Sequence, residues 1–137
     1  MPRILAIDYG AKRTGLAVTD PLQMIATPID FVPTHQLEGF LKDYFGKEEV
    51  EKVVIGMPKN TDGSATNATQ LVQAFINRFR KVFPSMELIL HDERFTSKMA
   101  FDAMITGGLK KKQRQVKGNV DKISATIILQ SYLDSRI

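Results

Sequence analysis

The stretch RILAIDYGAKRTGLAVTD, residues 3–20, decides the fold. Its residues 4–7 are all apolar, and such an unbroken run is typical of a strand buried on both faces, here Arg3–Asp8. A second strand is predicted over Thr14–Thr19. Because the connection from Gly10 to Arg13 is short enough for a hairpin, the two strands should pair antiparallel, with Asp8 at the tip of the first.

Downstream of this hairpin, predicted strands alternate with predicted helices. The strands are Ile25–Val32, which Pro28 confines to a sheet edge or a bulge, then Lys52–Gly56 and Glu87–His91. The helices are His35–Phe45 with Thr34 as its cap, Ala68–Phe83, Lys98–Ile105, and a last one from Val120 to about Ser135 with Asn119 as its cap. This order predicts an α/β fold in a single domain over residues 1–137, with helices on both faces of a mixed sheet.

The predicted parallel strands direct several polar residues to one edge of the sheet. Asp8, Gly56 and Glu93 lie near the carboxyl ends of strands, and such ends gather into a crevice in open α/β sheets. Asp92 is either a further ligand there or a partner of the ligands. The loop over Gly56–Ser64 offers backbone amides that could hold phosphate, but it lacks the Gly-Lys-Ser/Thr ending of a P-loop, so its role stays open.

Bulk composition excludes several classes of protein. With 43% apolar and 25% charged residues, the chain resembles an ordinary globular domain. It has no Cys, which excludes disulfides, thiolate zinc sites and a cysteine nucleophile. No apolar run is long enough to span a bilayer, so we expect no membrane partner and a cytoplasmic location.

A basic segment lies between Gly107 and Gly118. The chain has 19 Lys and Arg against 15 Asp and Glu, and without the five cations of this segment the balance is 14 against 15. A basic segment on an otherwise neutral body favours contact with nucleic-acid phosphates. The alternative is a solvated, mobile charge run. The five cations are Lys110, Lys111, Lys112, Arg114 and Lys117.

Three acidic residues from distant parts of the chain could share a metal. Asp8 ends the first strand, Glu93 follows the strand that ends at His91, and Asp121 lies in the first turn of the predicted last helix. Their carboxylate oxygens suit Mg²⁺ or Mn²⁺, and a pair of such ions about 3.5–4 Å apart can promote phosphodiester hydrolysis. On this interpretation, Asp8, Glu93 and Asp121 form a site for a hard divalent cation.

Each of these acids also has a purely structural interpretation. Asp8 could close its turn by accepting backbone N–H bonds. Glu93 could form a surface ion pair with Arg94 or Arg78. Asp121 could be an acid that the helix macrodipole favours near a helix start.

Four motifs, in this order along nearly the whole chain, resemble the YqgF family, also called RuvX. They are residues 8–20 (DYGAKRTGLAVTD), residues 56–64 (GMPKNTDGS), residues 92–96 (DERFT), and Lys117-Gly118 with Asp121 and residues 128–133 (ILQSYL). The resemblance implies a ribonuclease H-like fold. It also implies a nuclease that resolves Holliday junctions or matures the 5′ end of the small-subunit ribosomal RNA precursor.

The resemblance also implies the site and its partners. Asp8, Glu93 and Asp121 would bind Mg²⁺ or Mn²⁺, and the substrate would be structured RNA, with branched DNA as the alternative. Nucleic-acid contacts are expected from Lys12, Arg13, Arg94, Lys110, Lys111, Lys112, Arg114 and Lys117. A processing nuclease could act as a monomer, whereas a junction resolvase would need a homodimer to cut two strands symmetrically.

Two other classes of function remain open at this stage. A module that binds nucleic acid without cutting it would show the same salt-dependent affinity, with no divalent-ion requirement and no product. An enzyme of the actin and sugar-kinase type also carries an Asp8-Tyr9-Gly10-like phosphate loop on a related fold. Such enzymes need two domains of this kind, and 137 residues supply one.

Overall fold

The computed structural model describes residues 2–57, 67–92 and 117–134, which form one mixed sheet with helices on both faces. The sheet order is β3-β2-β1-β4-β5. Strands β1, β2 and β3 pair antiparallel in succession, while β1–β4 and β4–β5 are parallel. The strands are β1 (Arg3–Asp8), β2 (Arg13–Thr19), β3 (Ala26–Pro33), β4 (Val50–Met57) and β5 (Glu87–Asp92). The predicted combination of an antiparallel side and a parallel side is confirmed.

Two apolar cores lie on opposite faces of this sheet. Helices α1 (Leu37–Lys47) and α2 (Asn67–Val82) cover one face, where Leu41, Ile76 and Phe79 are buried. Helix α3 (Lys117–Asp134) covers the other face with Ala125, Ile128, Leu129 and Leu133. Helices on both faces were predicted, and the structure confirms them.

The side chains of β1 point alternately to the two faces of the sheet, so each of its four apolar residues belongs to one of the two cores. Leu5 and Ile7 belong to the core under α1 and α2, while Ile4 and Ala6 belong to the core under α3. Because successive strand residues point to opposite faces, Asp8 takes the same face as Ile4 and Ala6. The acid at the strand tip therefore lies on the α3 face of the sheet.

Strand β3 is an edge strand, as Pro28 required. Its pairing with β2 shifts register between Leu16 and Ala17, and Ala17 lies opposite Pro28. Since proline has no N–H to donate, the irregularity falls where the ladder would otherwise lose a bond.

Two predicted helix caps are wrong. Thr34 belongs to a short 3₁₀ turn, Thr34–Gln36, and its side chain makes no capping bond to a helix. Helix α3 already begins at Lys117, so Asn119 lies inside it and Asp121 falls beyond its first turn. Asp121 therefore gains little stabilisation from the helix macrodipole, because that effect fades after the first turn. The predicted helix Lys98–Ile105 lies outside the described residues.

Among the helices in the described ranges, none is long and apolar enough to cross a membrane.

Gly39 on α1 offers a test of the fold's energetics. A methyl group added there would meet nothing within 4 Å. Glycine inside a helix is less stable than alanine by roughly 0.5–1 kcal/mol, so Gly39→Ala should raise the free energy of unfolding by about that amount. Urea denaturation followed by circular dichroism measures the change. A loss of stability would contradict the open environment at this position.

Candidate functional site

The carboxyl ends of three neighbouring strands meet at one edge of the sheet. Strands β1, β4 and β5 are mutually parallel, and their last residues are Asp8, Met57 and Asp92. This is the edge at which the sequence predicted a crevice, and ligands of open α/β folds bind at such an edge.

The pairing register defines a row of three residues on the α3 face of this edge. Ile7 pairs with Ile55, so Asp8 continues level with Gly56, and Gly56 in turn pairs with His91. Asp8 and His91 thus lie two strand spacings apart, roughly 10 Å between Cα atoms. Because Gly56 has no side chain, no β4 side chain lies between those of Asp8 and His91 in this row, and Gly56 itself is buried. We call these three residues the Gly56 row.

His91 lies at the β5 end of the Gly56 row and links this row to α3. Its Nε2 lies 3.0 Å from the Ser131 hydroxyl oxygen, within hydrogen-bonding distance, and the ring is half-buried. The sequence marks His91 only as the last residue of the predicted strand Glu87–His91. The signal that could have placed it is its spacing of two from Ile89, which packs against the core under α3.

A network of hydrogen bonds fixes the hairpin that follows Asp8. The Thr34 hydroxyl donates to the Gly10 carbonyl at 2.6 Å, and the Thr34 N–H donates to the Lys12 carbonyl at 2.9 Å. The Thr34 and Thr14 hydroxyl oxygens are 3.0 Å apart. Thr34 therefore joins the hairpin to the start of α1, which explains why its side chain does not cap the helix.

The turn after Asp8 requires glycine at position 10, because the backbone of Arg13 lies too close for any side chain there. A Cβ atom at Gly10 would collide with the carbonyl oxygen of Arg13. Only glycine allows the chain to pass this closely two residues after Asp8.

Tyr9 fixes the other side of the strand tip. Its ring stacks on Phe75 of α2, with centroids 4.7 Å apart and planes inclined by 24°. Together with the Thr34 bonds, this stack holds the backbone on which Asp8 is carried. A carboxylate held by a rigid support keeps its geometry when a ligand binds.

The structure describes the side chain of only one of the three predicted acidic residues. Asp8 lies at the edge described above and is half-buried. Asp121 lies on α3, four residues before Ala125 and seven before Ile128, but its side chain is outside the described part of the chain. Glu93 is wholly outside it. Among the described side chains, no group of three or more Asp, Glu or His could hold a metal ion. The shared metal site therefore stays a prediction.

The predicted nucleic-acid contacts divide in the same way. Lys12 is exposed in the hairpin next to Asp8, and Arg13 is the half-buried first residue of β2. Lys117 is the first residue of α3, with its side chain not described. The remaining candidates, which are Arg94, Lys110, Lys111, Lys112 and Arg114, lie outside the described residues.

A protein of known structure has the same overall fold. RuvC of T. thermophilus, solved in complex with a Holliday junction substrate, aligns over 99% of this chain and 96% of its own with a TM-score of 0.58. The two sequences are 16% identical, so the likeness concerns the fold. The chain therefore has the ribonuclease H-like fold that its motifs implied.

Sequence comparison then assigns the family. The family model described as "RuvX: Holliday junction resolvase" matches residues 2–135, and the chain belongs to the RuvX family. A relative from Flavobacterium johnsoniae is 57% identical over 136 residues, covering 99% of both proteins. One from Flavobacterium psychrophilum is 55% identical over the full length of both. Each of these two relatives carries the name "Putative pre-16S rRNA nuclease".

Proposed function

We propose that this protein is a metal-dependent nuclease that hydrolyses phosphodiesters in structured RNA, and that it processes the 5′ end of the 16S ribosomal RNA precursor. The observation that carries the proposal is Asp8, held on a rigid strand tip in line with Gly56 and His91 at the carboxyl ends of three parallel strands. The names of the full-length relatives support the choice of RNA. A cytoplasmic location follows from such a substrate.

The donor atoms fit the ion that the fold class uses. Asp8, Glu93 and Asp121 would supply only carboxylate oxygen, which suits Mg²⁺ or Mn²⁺, and the chain has no thiolate that would favour zinc. When bound, such ions would supply a nucleophilic water and positive charge near the leaving oxygen.

The position of Asp121 along α3 supports its part in this site. It precedes Ala125 by four residues and Ile128 by seven, and residues at this spacing share one helix face. Ala125 and Ile128 belong to the core under α3, which also contains Ala6 of β1. Asp121 therefore continues the helix face that packs on the same side of the sheet as Asp8.

The basic residues would hold the substrate rather than react with it. Lys12 and Arg13 lie in the hairpin that directly follows Asp8. Lys117 begins the helix that carries Asp121, and the cations of residues 110–114 precede it in the chain. Phosphate contacts of this kind give affinity that falls as salt rises.

Resolution of Holliday junctions is the second candidate function. The description of the family and the likeness to RuvC favour it. This activity would require a homodimer, since two strands must be cut symmetrically. RNA processing carries no such requirement, so a protein that stays monomeric in solution would argue against junction resolution.

Cleavage assays on parallel substrates test both candidates. The full-length protein would be incubated with Mg²⁺ or Mn²⁺ and either ribosomal precursor RNA with its 5′ leader, four-way junction DNA or linear duplex DNA. We expect shortening of the precursor at its 5′ side, no cutting of the linear duplex, and complete loss of product in EDTA. Tight, salt-dependent binding without product under either ion would instead identify a binding module, and turnover of ATP would revive the kinase-like alternative.

A further inference from the structure

A pocket of about 200 Å³ lies between α1 and α2, on the face of the sheet opposite the side chains of Asp8 and His91. Aromatic rings from Tyr9, Phe75, Phe79 and Phe83 form much of its wall. Glu38 of α1 and Arg78 of α2 stand at its rim, and both are polar residues joined by an ion pair. The nuclease site as proposed makes no use of this pocket.

We propose that this pocket binds one nucleobase of the substrate strand, next to the nucleotide held at Asp8. This inference rests on the proposed function, since it assumes that nucleic acid reaches Asp8. The pocket would add recognition of a single base to contacts that otherwise involve only phosphates. Such contacts to the phosphates position a strand but do not read its sequence.

The pocket lies close to Asp8 along the chain, which is the first argument. Tyr9 directly follows Asp8, so the two Cα atoms are about 3.8 Å apart. Asp8 takes the α3 face, whereas Tyr9 packs against the core under α1 and α2. A phosphate at Asp8 and a base in the pocket would therefore lie on opposite faces of the sheet, on either side of the end of β1. A neighbouring base can reach across only if it turns away from its stack, as bases of single-stranded RNA do.

The aromatic wall is the second argument. Tyr9 and Phe75 already form a stack, and Phe75 continues to Phe79, whose ring centroid is 5.9 Å away. Tyr9, Phe75 and Phe83 are only partly buried, so their rings offer surface to the pocket. Bases stack on aromatic side chains, and single-strand-binding proteins use such platforms widely.

The rim is the third argument, because it offers both a donor and an acceptor for a base edge. Arg78 Nε donates to Glu38 Oε1 at 2.9 Å, and a second guanidinium nitrogen lies 3.4 Å from Glu38 Oε2. This hydrogen bond lowers the pKa of Glu38, so the carboxylate is ionised at neutral pH. Exposed pairs of this kind are weak. A base edge can therefore replace either partner at little cost, donating to Glu38 or accepting from Arg78.

Fluorescence of a base analogue tests the inference without any cleavage. A ten-nucleotide single-stranded RNA would carry one 2-aminopurine, moved through successive positions, and would be titrated with the full-length protein in EDTA. We expect the fluorescence to be quenched strongly at one position only. Replacing that nucleotide by an abasic one should weaken binding roughly 5- to 150-fold, as loss of one stacked base does.

Two variants and a matched control then assign the quenching to this pocket. Phe75→Leu keeps an apolar side chain but removes a ring, and we expect it to abolish the position-specific quenching. Arg78→Gln should alter the preference among the four bases at that position. Arg80→Gln removes the same charge from the same helix outside the pocket, and we expect it to leave base preference unchanged.

The inference is overturned if quenching is equal at all positions, or if Phe75→Leu leaves it intact. It is also overturned if Arg78→Gln and Arg80→Gln act alike. Cleavage assays of the same proteins keep this result separate from the proposed function. An enzyme that cuts RNA without position-specific quenching contradicts the pocket alone, whereas quenching in a protein that cuts nothing contradicts the nuclease alone.

Discussion

Asp8→Asn is expected to lower the rate of metal-dependent cleavage by about a thousandfold or more while leaving the protein folded. The change converts the carboxylate into an amide of nearly the same shape, in which an NH₂ group replaces one oxygen. The strand and its hairpin should therefore be kept. What is lost is a negatively charged ligand for a hard divalent cation. Stabilisation by such ions is worth several kcal/mol in the transition state, and each 1.36 kcal/mol is a factor of ten in rate.

A matched variant separates the site from general effects of charge. Asp43→Asn makes the same chemical change at an exposed position on α1, and its cleavage rate should equal that of the unchanged protein. Binding of substrate by Asp8→Asn, measured in EDTA, should stay within a few-fold of normal because the basic residues are intact. Full activity of Asp8→Asn would remove Asp8 from the site and leave the nuclease proposal without its central residue.

The sequence predicted the parts of the fold that depend on local patterns. Strand β1 was predicted with its observed bounds, because the unbroken apolar run of residues 4–7 has only one stable location, the middle of a sheet covered on both faces. The edge position of β3 followed from Pro28 for an equally local reason.

Features that depend on contacts between residues far apart in the chain could not be predicted from the sequence. Thr34 has the right residue type for a helix cap, but its hydroxyl is used by Gly10, which lies 24 residues earlier. The Gly56 row depends on the β1–β4 and β4–β5 registers, which bring Gly56 and His91 level with Asp8. No local pattern reports such a register, so His91 could be placed only once the sheet was assembled.

The candidate site was predicted from residue type and strand order, and the structure locates the side chain of one of its acids while its role stays a prediction. Asp8 is found at the parallel edge where the sequence placed it. Asp121 is one turn deeper in its helix than expected, because α3 starts at Lys117. Glu93 and the basic residues 110–114 lie outside the described ranges, so their roles stand as proposals that the cleavage assays test.

Gly10→Ala is the second substitution from which we expect a large effect, because it acts on the support of Asp8. The new Cβ would collide with the Arg13 carbonyl oxygen, and both groups belong to backbone that cannot move independently. Shifts forced by an extra methyl group typically cost about 1–3 kcal/mol. We therefore expect the free energy of unfolding, measured by urea denaturation, to fall by about that amount.

Cleavage by Gly10→Ala should fall further than the loss of stability explains. Relief of the collision must move either Gly10, which accepts the Thr34 hydroxyl bond, or Arg13, which begins β2. Either movement shifts the backbone next to Asp8, and a misplacement of about 1 Å in a catalytic group can lower a rate by about 10²-fold. Gly39→Ala is the matched control, since the same methyl group there meets open space and should leave cleavage unchanged. If Gly10→Ala cleaves normally at a temperature where it is fully folded, the hairpin does not position Asp8.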